Sequence, residues 1–140
     1  MMNMQGQATA GVSTIGQAAV TAALEGPQDL IESHRRDYQN RRDLVVGWLR
    51  EAKGITCHKP EGAFYVFPNI AGCIGKTTKA GKRIETDEEF CLALLEEEGV
   101  ACVDGAAFMY PGYFRISYAT SDEALQDACT RIQRFCAGMR

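Results

Sequence analysis

Residues 27–54 carry one unbroken helical pattern, and this stretch constrains the fold more than any other part of the chain. Pro27 suits the first turn of a helix and Gly54 suits its end. Between them, apolar and aromatic side chains recur at helical spacing: Ile31, His34, Tyr38, Val45, Trp48, Leu49 and Ala52. At about 1.5 Å per residue such a helix spans roughly 40 Å, more than a compact domain of this size needs. We therefore expect a helix that links two parts of a larger structure.

Shorter elements are predicted on both sides of this helix. Before it, Ser13 can cap a helix that carries a stripe of small residues and ends at Gly26. After it, the segments ITCH (55–58) and GAFYVFP (62–68) have strand-forming residues and a turn sequence between them. We expect these two segments to pair as a hairpin.

The second half of the chain continues with helices and strands. Thr86 and Glu89 form a capping box that opens a helix, with Phe90, Leu94 and Leu95 on its inner face and Gly99 at its end. VACV (100–103) is predicted to be a buried strand. Ser121 caps a final helix with an amphipathic pattern.

The order of these elements predicts the fold class. Residues 71–84 are rich in Gly, Lys and Thr and lack apolar periodicity, which predicts a mobile surface loop. The other segments read helix, long helix, two strands, helix, two strands and helix. This order is typical of an α/β domain with a short mixed or antiparallel sheet covered by helices.

The segment YFRISY (113–118) places an arginine at the centre of a predicted strand. With a two-residue period, Phe114, Ile116 and Tyr118 share one face, and Arg115 lies on the other. A guanidinium is always charged and is costly to bury without a partner. Arg115 is therefore a solvated edge residue, half of a structural ion pair or a receptor for an anion, and the residues alone leave all three open.

Composition argues against several classes of protein. The 140 residues suffice for one domain with a core, and a net charge of -3 with scattered basic residues is atypical of nucleic-acid binding. No apolar run reaches membrane-spanning length, and the first residues lack a signal-peptide pattern. The six cysteines form no CxxC pair and have no metal-ligand spacing with His34 or His58. We expect reduced thiols, no metal site and a cytoplasmic protein.

Several motifs, in the right order, resemble one enzyme family. YFRISYATS followed by an amphipathic helix is similar to the C-terminal substrate-binding motif of class I, fold-type I pyridoxal-phosphate aminotransferases. PEGAFYVFPNI is similar to their Pro-x-Gly-Ala-Phe-Tyr strand, and AAVTAALEGPQD and RRDLVVGWL resemble segments of the prokaryotic aspartate aminotransferase subgroup that lead into the small domain. The resemblance implies that residues 1–26 end a large-domain region and that residues 27–140 form the small domain, including the long helix.

The resemblance also implies roles for two side chains. Arg115 is similar to the arginine that binds the α-carboxylate of the amino-acid substrate, a task suited to the planar fork of a guanidinium. Phe108 would lie beside the substrate; the alternative is a core aromatic that anchors its loop. The implied cofactor is pyridoxal 5'-phosphate, which serves as an electron sink.

The chain departs from the family in lacking the Ser-Lys motif whose lysine forms the Schiff base. Its lysines, at positions 53, 59, 76, 79 and 82, do not fit that motif, and MMNMQGQATAG resembles the segment that follows it. We therefore expect the C-terminal part of a longer enzyme, inactive alone and without catalytic or cofactor-binding residues of its own. Gln5, Gln7 and Thr9 resemble a stretch near the family's dimer interface, although an ordinary polar lead-in to a helix accounts for them equally well.

The leading hypothesis for function is the small domain of an aspartate aminotransferase. In the family, such an enzyme works as a homodimer and exchanges the amino group of aspartate with 2-oxoglutarate, giving oxaloacetate and glutamate. One alternative is another class I aminotransferase that acts on aromatic amino acids, alanine or a different 2-oxo acid. The other is a non-catalytic module that binds a small carboxylate or a protein.

Overall fold

A computed structural model describes residues 11–140, in two compact units. Helix α1 (Thr14–Glu25) belongs to the unit that ends at Arg35, and α2 (Asp29–Arg50) contributes residues to both units. The unit Arg36–Arg140 also contains β1 (Tyr65–Val66), α3 (Asp87–Glu98), β2 (Val103–Asp104), a 3-10 helix (Ala106–Phe108), β3 (Phe114–Ser117) and α4 (Asp122–Ala137). Gln5, Gln7 and Thr9, which resemble a stretch near the family's dimer interface, lie outside the described residues.

The sheet has three strands in the order β1-β3-β2, and both pairings are antiparallel. This confirms the predicted α/β class with a small sheet. The predicted hairpin is wrong in its main pairing: Thr56 of the first segment forms a bridge with Asn69, which follows the second segment, and not with a residue of 62–68. Strand β1 pairs with β3 instead, which places Val66 opposite Ile116. Both side chains are buried, so the pairing with β3 gains apolar contact that an isolated hairpin lacks.

Aromatic side chains fix β3 to the helices. Phe114 is fully buried, and its ring lies 5.5 Å from that of Phe90 in α3. The ring of Phe90 lies 5.4 Å from that of Phe135 in α4, in an edge-to-face contact. One face of the sheet thus rests on a core contributed by α3 and α4, which leaves the other face of β3 to carry Arg115.

Three local predictions need correction. Leu95 is 47% exposed and so does not belong to the inner face of α3. The predicted buried strand 100–103 is replaced by β2 (Val103–Asp104), an edge strand in which Val103 is 38% exposed. Residues 71–84 are not a loop lying only on the surface, because Cys73 and Ile84 are fully buried and Thr78 is almost completely buried. These burials are isolated rather than periodic, so the sequence pattern did not reveal them.

The predicted caps of α1, α3 and α4 are confirmed, whereas α2 ends at Arg50 rather than at Gly54. Ser13 and Ser121 accept hydrogen bonds from the first turns of α1 and α4, and Thr86 and Glu89 form the capping box of α3. Gly99 ends α3 in the left-handed conformation, with φ at 67°. Within residues 11–140, no helix has both the length and the apolar character needed to cross a bilayer.

The end of α3 is fastened to α4 through Glu98. Arg131 donates to the backbone carbonyl of Glu98 at 3.0 Å, and Arg134 donates to its carboxylate. The hydrogen bond from Arg134 lowers the pKa of Glu98. A carboxyl whose pKa is lower in the folded state stabilises that state above its unfolded pKa of about 4.3, and loses this effect as the pH falls through the folded pKa.

Replacing Glu98 with Gln should therefore lower the free energy of unfolding at neutral pH, and the difference from the wild type should shrink below about pH 4. Urea unfolding at pH 7, 5 and 3 would measure this. Glu96→Gln is the control, because Glu96 is an exposed residue of the same helix. A Glu98→Gln deficit that is independent of pH would contradict the assignment.

Candidate functional site

Arg115 occupies the centre of the sheet. It lies in β3, opposite Val103 of β2, and its side chain is half-buried. Its neighbours Phe114 and Ile116 are buried on the core face, as the two-residue period predicts. The strand therefore holds the arginine on the face of the sheet away from the core.

Two aromatic rings hold the guanidinium of Arg115. Its central carbon lies 4.5 Å from the ring centroid of Tyr65 and 4.3 Å from that of Phe108. Ring faces attract a cation but accept few of its N–H groups, so they orient the guanidinium and leave its donors available. In residues 11–140, Arg115 has no ion pair and no hydrogen bond from its guanidinium. This arrangement favours the anion receptor among the three alternatives left open by the sequence.

Other arginines of the same unit are already paired. Arg41 lies 2.9 Å from Asp122, and Arg131 lies 2.9 Å from Asp127. Arg131 lines a groove of about 350 Å³ beside β3 and α4, but its charge there is offset by Asp127, which lines the same groove. A small carboxylate therefore has a better receptor in Arg115 than in this groove.

Phe108 ends the short 3-10 helix between β2 and β3. Its side chain is 41% exposed, so it is not a core residue, although its ring contacts that of Phe67 edge-on at 6.1 Å. The structure thus brings together the two side chains, Arg115 and Phe108, that the family resemblance singled out. Their roles toward a substrate stay predictions.

Further aromatic residues continue the site along the sheet. The ring of Phe67 stacks on that of Tyr113 at 5.4 Å and 9°, and Tyr110 lies 4.6 Å from Tyr113. A hydrogen bond with Tyr113 raises the pKa of Tyr110, which keeps the Tyr110 hydroxyl neutral at physiological pH. We call the rings of Tyr65, Phe67, Phe108, Tyr110 and Tyr113 the aromatic surface. Two of its rings, those of Tyr65 and Phe108, contact the guanidinium of Arg115. In such a setting the charge can bind a carboxylate while the rings offer apolar contact to the rest of a ligand.

Sequence reasoning did not identify Tyr65 as part of this site. The signal was present in part, because Tyr65 and Phe67 alternate with the buried Val66. What the sequence did not reveal is that β1 pairs with β3, which brings Tyr65 to Arg115.

The cofactor implied by the family resemblance needs more than these residues. A pyridoxal-phosphate site requires a lysine, yet Lys59 pairs with Asp43 at 2.9 Å and the other four lysines lie at 53 or within 71–84. None belongs to the segments 65–67 and 108–115 that build the Arg115 site. Residues 11–140 therefore do not form a complete pyridoxal-phosphate site. Nor does this part of the chain gather three or more His, Cys, Asp or Glu side chains in a metal-binding group.

Comparisons with known proteins match this chain to one family. The family model described as aminotransferase class I and II matches residues 1–132. An aspartate/prephenate aminotransferase of Cereibacter sphaeroides is 57% identical over 99% of this chain and 35% of its own length. An aspartate aminotransferase of Rhizobium meliloti is 51% identical over 97% of this chain and 33% of its own length.

Solved structures match as well. A crystal structure of the Rhizobium meliloti aspartate aminotransferase superposes with a TM-score of 0.94 at 49% identity, covering 98% of this chain and 34% of that one. An alanine aminotransferase of Pyrococcus furiosus gives a TM-score of 0.78 at 32% identity, covering 89% of this chain and 30% of that one. The chain thus spans about one third of the length of the curated relatives it matches. Because the family model covers nearly all of its length, the chain belongs to the aminotransferase class I and II family.

Proposed function

We propose that this chain supplies the substrate-binding arginine of an aspartate aminotransferase, in which Arg115 receives the α-carboxylate of the amino acid. The observation that carries the proposal is the half-buried guanidinium held between Tyr65 and Phe108 without an ion pair in the described residues. A planar pair of N–H donors binds both oxygens of a carboxylate and so fixes the orientation of the amino acid as well as its charge. Phe108 packs beside the bound substrate.

The rest of the active site is proposed for the whole enzyme. Members of the family generally use pyridoxal 5'-phosphate, which supplies the electron sink for transamination, and we propose a Schiff-base lysine beyond these 140 residues. The whole enzyme acts as a homodimer. The six unpaired cysteines support a reducing compartment such as the cytoplasm.

The proposed amino donor is aspartate and the proposed acceptor is 2-oxoglutarate. Prephenate is a second candidate acceptor, because the Cereibacter sphaeroides relative is named an aspartate/prephenate aminotransferase. The two acceptors share the 2-oxo acid group that transamination requires, and they differ in the remainder of the molecule. Arg115 would bind the carboxylate common to both, so it does not discriminate between them.

A chimera tests this proposal. Residues 1–140 replace the corresponding third of the Cereibacter sphaeroides relative, and the product is assayed with aspartate and either 2-oxoglutarate or prephenate. We expect transamination of aspartate with at least one acceptor. A folded chimera that binds the cofactor but fails to transaminate aspartate with both acceptors would contradict the proposed function.

The isolated 140-residue chain should show no transaminase activity, because it lacks the Ser-Lys motif of the family. Mixing it with pyridoxal phosphate and then with borohydride should label its five lysines weakly and without preference. Mass spectrometry of the digested chain would measure this labelling. Stoichiometric labelling of one lysine, together with turnover of aspartate, would refute the prediction.

A further inference from the structure

We propose that Asp87 is a positioning residue that holds Phe108 against Arg115. Asp87 is the first residue of α3 and is only 3% exposed. The backbone N–H of Ala106, which begins the 3-10 helix, donates to its Oδ2 at 2.7 Å. A buried carboxylate on one element thus accepts a hydrogen bond from the segment that carries Phe108, 19 residues farther along the chain.

Every backbone N–H from residue 105 to residue 110 has an acceptor. The acceptors, in order, are the carbonyl of Tyr113, Asp87 Oδ2, Asp104 Oδ2, the carbonyl of Gly105, the carbonyl of Ala106 and again the carbonyl of Gly105. Four of these six bonds stay within the segment or reach the adjacent Asp104. The bond to Tyr113 joins the segment to the residue that precedes β3, and the bond to Asp87 joins it to α3 through a side chain.

The segment has little freedom to shift once these bonds form. Met109 adopts a left-handed conformation with φ at 58°, and a Cβ on Gly105 would lie 2.2 Å from the carbonyl oxygen of Tyr110. The backbone is therefore tightly folded at both ends of the 3-10 helix. Loss of the anchor would leave the N–H of Ala106 without its side-chain acceptor and remove the bond that ties this turn to α3, so the turn as a whole would shift rather than one side chain.

Such a shift reaches Arg115 through Phe108. The centroid of the Phe108 ring lies 4.3 Å from the central carbon of the guanidinium, and that of the Tyr65 ring lies 4.5 Å from the same carbon. If the Phe108 ring moves, the guanidinium is no longer confined between two rings and its fork loses a fixed orientation. Asp87 would thereby influence substrate binding without touching the substrate. This consequence rests on the proposed function of Arg115.

The test uses the active chimera with Asp87→Ala and Asp87→Asn, and hydrogen exchange together with kinetics. In Asp87→Ala we expect amides of residues 105–110 to exchange at least about tenfold faster while most of α3 stays protected. We also expect kcat/KM to fall about tenfold, mainly through KM, for two dissimilar amino acids. Asp87→Asn should lose less in both readouts, because its amide oxygen can still accept the bond from Ala106.

Glu88→Ala is the matched control, because Glu88 is an exposed carboxylate in the same first turn, and it should behave as the wild type. The inference is overturned if Asp87→Ala keeps segment 105–110 protected, or if α3 as a whole opens equally while kcat/KM stays normal. Arg115→Ala provides the reference for function. If Arg115→Ala lowers kcat/KM and Asp87→Ala does not, the inference fails and the proposed function stands. If neither Arg115→Ala nor Asp87→Ala lowers kcat/KM, while amides of residues 105–110 exchange faster in Asp87→Ala, the proposed function fails and the hold of Asp87 on Phe108 stands.

Discussion

Replacing Arg115 with Ala in the active chimera should lower kcat/KM by at least about a hundredfold for every amino-acid substrate, and replacing it with Lys by at least about tenfold. The expected loss comes from the planar pair of N–H donors that the guanidinium presents to a carboxylate. A hydrogen bond to a charged group contributes roughly 1.5–3 kcal/mol, so loss of two such bonds exceeds loss of one. Lysine keeps the charge but does not present two donors in a plane.

The loss should be the same for aspartate and for an amino acid with a different side chain, because both carry the α-carboxylate. Steady-state kinetics on both substrates would measure it, alongside the thermal unfolding temperature of each variant. Arg83→Ala is a suitable control, because Arg83 is an exposed arginine whose partner Glu85 is exposed as well. Near-normal kcat/KM in folded Arg115→Ala, or a loss for only one substrate, would refute the carboxylate assignment.

The sequence was sufficient to predict features that depend on local spacing. The two-residue period of 113–118 predicts that Arg115 lies on one face of the strand and Phe114 and Ile116 on the other, and the structure confirms this. Capping residues such as Thr86 with Glu89 also predicted the start of a helix correctly. Both depend on the geometry of a few consecutive residues, which the order of the residues determines directly.

Features that depend on pairing between distant segments were not accessible in this way. The sequence predicts a strand around Tyr65 but pairs it with residues 55–58, because a turn sequence lies between the two segments. In the structure β1 pairs with β3 instead, and a local turn sequence does not reveal a partner so far along the chain. Asp87 carried no signal at all, because an acidic residue in the first turn is common to helices in general. Its contact with Ala106 arises only when α3 and the turn before β3 are folded together.

The core beneath Arg115 gives the largest expected effect on stability. Phe90 is fully buried and its ring contacts those of Phe114 in β3 and Phe135 in α4. Replacing Phe90 with Ala in the 140-residue chain should lower the free energy of unfolding by about 3–5 kcal/mol, from the lost transfer of the ring and the cavity left behind. Since a domain is stable by only about 5–15 kcal/mol, this variant should be close to unfolding at room temperature.

Urea unfolding followed by circular dichroism, at low protein concentration, would measure the change. Leu92→Ala is the matched control: Leu92 lies two residues away in α3 and is 45% exposed, so its loss should be well under half as large. Phe90→Leu should fall between the two, because leucine refills part of the cavity. Equal losses for Phe90→Ala and Leu92→Ala would show that β3 does not rest on the aromatic core. In that case the fixed orientation of Arg115 would need another physical explanation.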